Sequence, residues 1–269
     1  MTVEVPGAPD RALQPEDPRF QGLARLYGAR GLAALRAARV AIIGVGGVGT
    51  WVAESLARSA VGAIDLVDLD DICASNTNRQ LHTLGSTIGR PKAEAMAARL
   101  RDINPCLTVN VVEDFLTEKS AARILTPDLS FVVDAIDGAE HKCTLIRHAR
   151  ALGLPLVVCG GAGGRRDPSR VRLGDLTDSE GDRLLARVRK VLRQRHGFSR
   201  KGRWNIPCVY SAEPQVFPAS DGETCTSRAD AAGVARLDCA TGYGSSSFLT
   251  GTFGLLAASV VVNTLTRVR

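Results

Sequence analysis

The segment Arg39 to Gly49, RVAIIGVGGVG, constrains this chain more than any other. An apolar run, Val40 to Ile43, breaks into Gly44, Gly46, Gly47 and Gly49, and TWVAESLARSAV then carries small and apolar residues at helical spacing. The pattern reads as strand, tight turn and helix. Gly44 permits the turn, Gly46 leaves backbone N–H groups accessible to a phosphate, and Gly49 lets the helix pack closely on the strand. The helix N-terminus presents unpaired N–H groups and the positive end of its dipole to an anion. The expectation is a nucleotide-binding loop.

Strands and helices alternate after this unit. Apolar runs at Ala63–Val67, Thr108–Val112, Phe131–Asp134 and Leu154–Cys159 read as strands. Helices are expected from Pro91 to Asn104, Glu118 to Leu125 and Glu140 to Leu152, with short helices before the first strand broken by Gly28 and Gly31. Such alternation predicts an α/β fold with a Rossmann-like, doubly wound and mostly parallel sheet. Ligands of these sheets sit beyond the carboxyl ends of the strands. Asp68, Asp134, Asp137 and the run Gly160 to Gly164 all fall at such ends, and all are expected to face one crevice.

The pattern changes beyond Gly164. Segment 170–176 and Cys208–Ser211 read as further strands, and 182–196 as a helix with an apolar face of Leu184, Leu185, Val188, Val191 and Leu192. Its other face carries Arg183, Arg187, Arg189, Lys190, Arg193 and Arg195, and the cations continue through Arg200, Lys201 and Arg203 among Phe198 and Trp204. A solvated helix face accounts for part of this. Its continuation with interleaved aromatics points to nucleic acid or another phosphate-rich partner, in keeping with the net charge of +6. Pro218 to Ala235 is expected to be a mobile loop. The apolar stretch 248–265 is long enough to span a membrane, but Thr250, Thr252, Ser259, Asn263 and two glycines favour a buried helix. The expected division is a flexible tail at 1–18, a nucleotide-binding domain at 19–165, and at 166–269 a C-terminal extension with the basic helix and the long apolar helix packed on that domain. The seven cysteines form no C-x-x-C pair, which excludes the usual zinc-ribbon spacing, and the first residues carry no signal-peptide pattern. Reduced thiols and a cytoplasmic location are expected.

Two chemistries fit the glycine loop. Asp68 lies 24 residues after Gly44, where an acid holds the ribose of a dinucleotide or of ATP alike, so it does not separate them. Asn76, Arg79, Lys92 and Asp137 do. Hydride transfer has no use for two phosphate-seeking cations and an extra acid. Adenylyl transfer has: when a carboxylate attacks the α-phosphorus of ATP, cations neutralise the charge moving onto pyrophosphate, and a carboxylate can hold a Mg²⁺ that bridges phosphate oxygens.

GVGGVG, VDLDDICASNTNRQ, GRPKAE, RDINP and VVDAID, in this order, resemble the adenylating enzymes that activate ubiquitin-like and sulfur-carrier proteins. The flanks RFQGLARLYG, GGAGG, the SDG of 220–222 and DCATGYG are similar to one branch, the tRNA threonylcarbamoyladenosine dehydratases. The resemblance covers Arg19 to the C-terminus. It implies that Gly44, Gly46, Gly47 and Gly49 line the ATP loop, that Asp68 holds the ribose, that Asn76, Arg79 and Lys92 contact phosphates, and that Asp137 binds Mg²⁺. It implies a homodimer in which Arg25, or failing it Arg19, reaches the partner's ATP. The catalytic set so implied is Arg25, Arg79, Lys92 and Asp137, with ATP and Mg²⁺ as cofactors and no zinc. The implied activity is ATP-dependent cyclising dehydration of threonylcarbamoyladenosine in tRNA, with the basic segment holding tRNA phosphates. Cys225 and Cys239 need no catalytic role, and Cys239 is expected to be a packing residue. By family analogy alone, a cysteine desulfurase or sulfur acceptor is a further partner. Three alternatives remain at this stage: a sulfur-carrier adenylyltransferase, a nicotinamide dehydrogenase, and a non-catalytic tRNA-binding module.

Overall fold

A computed structural model describes residues 17–219, 221–226 and 243–267. The chain enters through a short 3-10 turn at Pro18–Phe20 and helix α1 (Gln21–Ala37), which kinks at Gly28, where φ is 72°. Strand β1 (Arg39–Ile43) and helix α2 (Gly49–Arg58) enclose the glycine loop, and β2 (Ala63–Val67) lies parallel to β1. Helix α3 (Lys92–Ile103), β3 (Thr108–Val112), the short α4 (Ala121–Ile124), β4 (Phe131–Asp134), α5 (Ala139–Ala151) and β5 (Leu156–Cys159) complete the alternation. Beyond it come β6 (Val171–Asp175), α6 (Arg183–Arg195), β7 (Pro207–Ser211), a small ladder of β8 (Phe217–Pro218) with β9 (Thr224–Cys225), and α7 (Ser247–Leu265).

Seven strands form one sheet in the order β3-β2-β1-β4-β5-β7-β6, parallel throughout except for the antiparallel edge strand β6. The chain steps from β1 through β2 to β3 on one side, then returns to place β4 on the other side of β1. That reversal opens a crevice at the carboxyl ends of β1 and β4. One face of the sheet is covered by α2, α3 and α7 through Val52, Leu56, Met96, Leu100, Phe253 and Val261; the other by α4, α5 and α6 through Ile124, Leu145, Ile146, Leu185 and Val188. Strands buried on both faces are continuous apolar runs, as in β1 and β4.

The apolar stretch near the C-terminus is a packed helix. Gly254 and Gly251 of α7 face Trp51 of α2, and a Cβ at 254 would come within 2.5 Å of the Trp51 Cβ, so the glycines set how closely the two helices approach. Half of its most apolar window is buried. Length and composition alone would allow it to cross a membrane.

Several expectations are revised. β6 and β7 both come from beyond residue 165, yet β7 is hydrogen-bonded directly to β5, so the sheet continues through the expected domain boundary. The helix expected at Glu118–Leu125 shrinks to Ala121–Ile124 because Thr117 and Ser120 bond each other's backbone and close a turn, while Glu118 reaches Thr144, Arg147 and His148 of α5. Pro91 is the N-cap of α3 rather than its first residue. Within the loop expected at 218–235, Pro218 and Thr224–Cys225 belong to the β8–β9 ladder; 227–235 lie outside the described residues, as do most of the tail, Ser220 and Cys239.

Candidate active site

The glycine loop is built by close backbone contacts. Gly44 has φ of 92°, and a Cβ there would meet the Ala135 carbonyl at 2.8 Å, which brings the end of β1 against the loop after β4. A Cβ on Gly49 would lie 1.9 Å from the Gly44 carbonyl oxygen, so only glycine lets α2 start directly over the strand end. Gly46 is open: a Cβ there would meet only the Gln80 amide nitrogen, at 3.8 Å. At Gly47 the Arg79 side chain and Thr250 of α7 approach to 3.3 and 3.2 Å of the Cβ position.

Asp68, at the end of β2, accepts hydrogen bonds from the Val45 N–H (2.6 Å) and the Asp70 N–H (2.9 Å), tying the second strand to the loop. Burial raises its carboxyl above the ordinary value, offset in part by those two donors and by the nearby Lys92. Asn76 is buried and its side-chain oxygen accepts the Cys73 N–H, which closes a turn at Ala74–Asn76. That turn projects Arg79, whose guanidinium donates to the Ser75 carbonyl and the Asn78 side chain, both at 2.9 Å. The Arg79 carbonyl accepts from Trp51 of α2 and Thr250 of α7. Lys92 opens α3 with its side chain largely buried and its ammonium 2.7 Å from the exposed Asp70 carboxylate. This cation is pre-set at the mouth of the crevice, with a counter-ion that solvent can reach. Asp137 lies exposed in the loop after β4, three residues beyond that strand's end.

The structure therefore brings together the glycines, Asp68, Asn76, Arg79 and Lys92, with Asp137 on the adjacent loop. It does not bring Asp134. That carboxylate is fully buried, 2.9 Å from the equally buried Lys142 ammonium, which also donates to the Cys159 carbonyl at 2.6 Å. Asp134 shares a strand face with Val132, turned towards α5 and away from the crevice. Arg25 lies on the exposed face of α1, and Arg19 is paired with Asp17.

Three supports escaped the sequence reading. His82 is buried and bonded through Nε2 to the Val45 carbonyl at 2.9 Å, and burial lowers its pKa to about 4, so the ring is neutral and donates that hydrogen bond. Lys142 holds Asp134, whose Oδ1 also accepts the Ile136 N–H at the start of the loop that carries Asp137. Arg165, also buried, donates to the Ser211 and Gly181 carbonyls, beside Asp182, which caps α6 and accepts the Gly161 N–H. For all three, the group that receives the side chain comes from a segment distant in sequence: Val45 for His82, Cys159 for Lys142 and Ser211 for Arg165.

The basic segment is less uniform than its composition implies. Arg189 is drawn inward, donating to the Leu176 carbonyl and Ser179, and is removed from the candidate nucleic-acid contacts. Arg193 lies over the Trp204 ring at 5.3 Å and Arg183 over Phe217 at 5.1 Å; Arg187 and Arg195 approach Glu140, and Arg203 pairs with Asp178. Lys190, Arg200 and Lys201 are exposed.

A family model described as the ThiF family matches residues 20–268. The chain is 45% identical over 243 residues to the tRNA threonylcarbamoyladenosine dehydratase of Escherichia coli K12, covering 90% of this chain and 91% of that protein. A crystal structure of the E. coli tRNA N6-threonylcarbamoyladenosine dehydratase in complex with ATP superposes with a TM-score of 0.81 at 39% identity, covering 92% of this chain and 93% of that one. Similarity to the sulfur carrier protein adenylyltransferase of Thermus thermophilus is 35% over 130 residues, 48% of each chain.

Proposed function

The chain belongs to the ThiF family, and on that premise we propose that it is a tRNA threonylcarbamoyladenosine dehydratase. It uses ATP to adenylate the threonyl carboxylate of the modified adenosine. A carboxylate oxygen bonds to the α-phosphorus as pyrophosphate leaves; the neighbouring carbamoyl group then attacks the activated acyl carbon and AMP departs. The ring closes intramolecularly, so proximity within the substrate supplies much of the rate. The net change is loss of one water from the base, and no protein nucleophile is required.

The observation that carries this reading is one crevice that gathers the open glycine loop, Asp68, Arg79 and Lys92, in a chain similar to the E. coli dehydratase over nine-tenths of its length. In our reading Gly44 to Gly49 and the N-terminus of α2 receive the phosphates, with Asn76 holding the turn beside them, and Asp68 takes the ribose hydroxyls. Arg79 and Lys92 neutralise charge as pyrophosphate leaves. Among the described residues no group of three His, Cys, Asp or Glu side chains could hold a metal unaided. A single exposed carboxylate beside a phosphate loop nevertheless fits Mg²⁺, which is commonly bound by one or two carboxylates plus substrate phosphates. Asp137 is that carboxylate, and the ion would add Lewis-acid stabilisation of the phosphoryl oxygens.

We further propose that the enzyme acts as a homodimer in the cytoplasm, with Arg25 exposed on α1 to meet the partner's ATP. Carrier-protein activation is the weaker reading: likeness to such an enzyme covers half of the chain, and the paired C-x-x-C motifs common among carrier-activating relatives are absent. Mass spectrometry of nucleosides from threonylcarbamoylated tRNA, incubated with the protein and ATP, tests the assignment. A loss of about 18 Da, one water, from the modified adenosine is expected. No mass change, with pyrophosphate exchange dependent on a protein ending in Gly-Gly instead, would replace it with carrier activation.

A further inference from the structure

Beside the phosphate segment lies a cavity of about 460 Å³ between the β8–β9 ladder, the loop after β5 and the first turn of α7. That volume is in the range of about 300–1,000 Å³ usual for small-molecule sites. Its wall includes Arg166, Phe217, Glu223, Ser245, Ser246 and Phe248. Phe217 is buried, its ring already flanked by Arg183 and Tyr243. Phe248 is different: it is 57% exposed, and no ring or cation covers it among the described residues. Ser246 has a buried hydroxyl without a hydrogen-bond partner. Arg165 is occupied internally, whereas Arg166 is exposed with one guanidinium nitrogen on Thr224 Oγ1 at 2.8 Å.

The cavity adjoins the turn that carries Arg79. Asn78, in the turn that carries Arg79, donates to the Ser245 carbonyl at 2.8 Å, and Thr250, two residues beyond Phe248, touches Gly47 and Arg79. Phe248 is about 3 Å along the α7 axis from Thr250 and about 200° around it, so the first turn of α7 has the phosphate loop on one side and the cavity on the other.

We propose that this cavity receives the modified adenosine itself. The proposal rests on the dehydratase reading above and names the place where its acceptor binds. The base stacks on Phe248, the Ser246 hydroxyl hydrogen-bonds the polar substituent on the base, and Arg166 at the wall takes the anionic backbone phosphate of the same nucleotide. The threonyl carboxylate then points past Ser245 towards the α-phosphate. The chemistry demands such a neighbour, because the carboxylate and the α-phosphorus have to meet. Single-stranded RNA bases are commonly held by an aromatic face together with an arginine.

The test compares Phe248→Ala, Arg166→Ala and Ser246→Ala with the wild type in turnover of threonylcarbamoylated tRNA, in ATP affinity, and in binding of the same tRNA lacking the modification. Wild-type turnover comes first: its absence counts against the dehydratase reading and leaves the cavity without an acceptor to bind. With turnover present, kcat/KM for modified tRNA is expected to fall about 10- to 100-fold in Phe248→Ala, the scale of a lost stacking contact. ATP affinity is expected to stay within about twofold of wild type, and the Ser246→Ala variant is expected to lose its preference for modified over unmodified tRNA while keeping its affinity for the latter. Wild-type kcat/KM in all three variants would overturn the proposal. So would a parallel loss of ATP affinity, which would assign these residues to the nucleotide site.

Discussion

Replacing Lys142 by Met tests the least visible support of the crevice. The Lys142 ammonium and the Asp134 carboxylate are both 0% exposed. Burial raises the Asp134 carboxyl from its ordinary value, and the adjacent ammonium and the Ile136 N–H offset this only in part. Methionine keeps most of the packing volume but leaves one carboxylate oxygen with no counter-ion beside a second that already lacks a partner. Removing one member of a buried pair costs about 3–5 kcal/mol. With a urea slope of about 3 kcal/mol/M, the unfolding midpoint should fall by about 1–1.7 M. The deficit should also grow with pH. In the variant the folded-state pKa of Asp134 lies still further above its unfolded value, so the folded state binds more protons and stability falls as pH rises through that window. Adding Asp134→Asn removes the stranded charge. The double variant should regain about 2 kcal/mol over the single, short of wild type because the Cys159 carbonyl still lacks its donor. A Lys142→Met midpoint equal to wild type, or a double variant less stable than the single, would refute this account.

Substituting Asp137 by Ala should abolish turnover while the thermal midpoint moves by less than about 2 °C, as for other exposed sites; turnover near wild type would remove its metal role. His82 contributes stability that is complete above the unfolded pKa of about 6.5 and is lost as pH falls towards 4, about 3 kcal/mol in total, because the unfolded chain takes the proton first. Calorimetric scans of His82→Leu should lack that slope and its KM for ATP should rise; an unchanged slope would contradict the buried neutral ring. Charge reversal at Lys190, Arg200 and Lys201 should lower tRNA affinity and reduce the slope of log K against log salt by about 2, while Arg189→Glu should lower the thermal midpoint, since that arginine is tied to Leu176 and Ser179. Equal salt slopes in wild type and the triple variant would exclude a phosphate contact there.

What was legible in the sequence is what depends on neighbours along the chain. The glycine loop declares itself because Gly44 and Gly49 meet within one turn, and strands β1 to β4 are apolar runs with turn signals at both ends. Asp68, Arg79 and Lys92 follow in an order set by the same few connections, which is why they converge. Strand order beyond β5 was not legible. β7 comes later in the chain than β6 yet takes the inner place beside β5, leaving β6 at the edge, because the apolar CVYS run fits between two strands and the partly polar VRLGD run fits only an edge.

Lys142 and Arg189 show where local pattern gives the wrong sign. Charge argues for the surface, but phase argues otherwise. Lys142 lies on the helical face of Ala139, Cys143, Ile146 and Ala149, all buried, and Asp134 shares strand parity with the buried Val132. Taken as phase, the two charges face each other across the layer between sheet and helix. Arg189 likewise falls between Leu185, Val188 and Leu192, so its stem lies along apolar surface while its guanidinium bends to backbone and hydroxyl oxygens. A buried charge is tolerable only when a partner meets it, and here each partner comes from another element: Asp134 from β4 for Lys142, Leu176 and Ser179 from the turn after β6 for Arg189. Periodicity identifies the charges that face inward; which group receives them is decided only when the sheet order brings distant segments together.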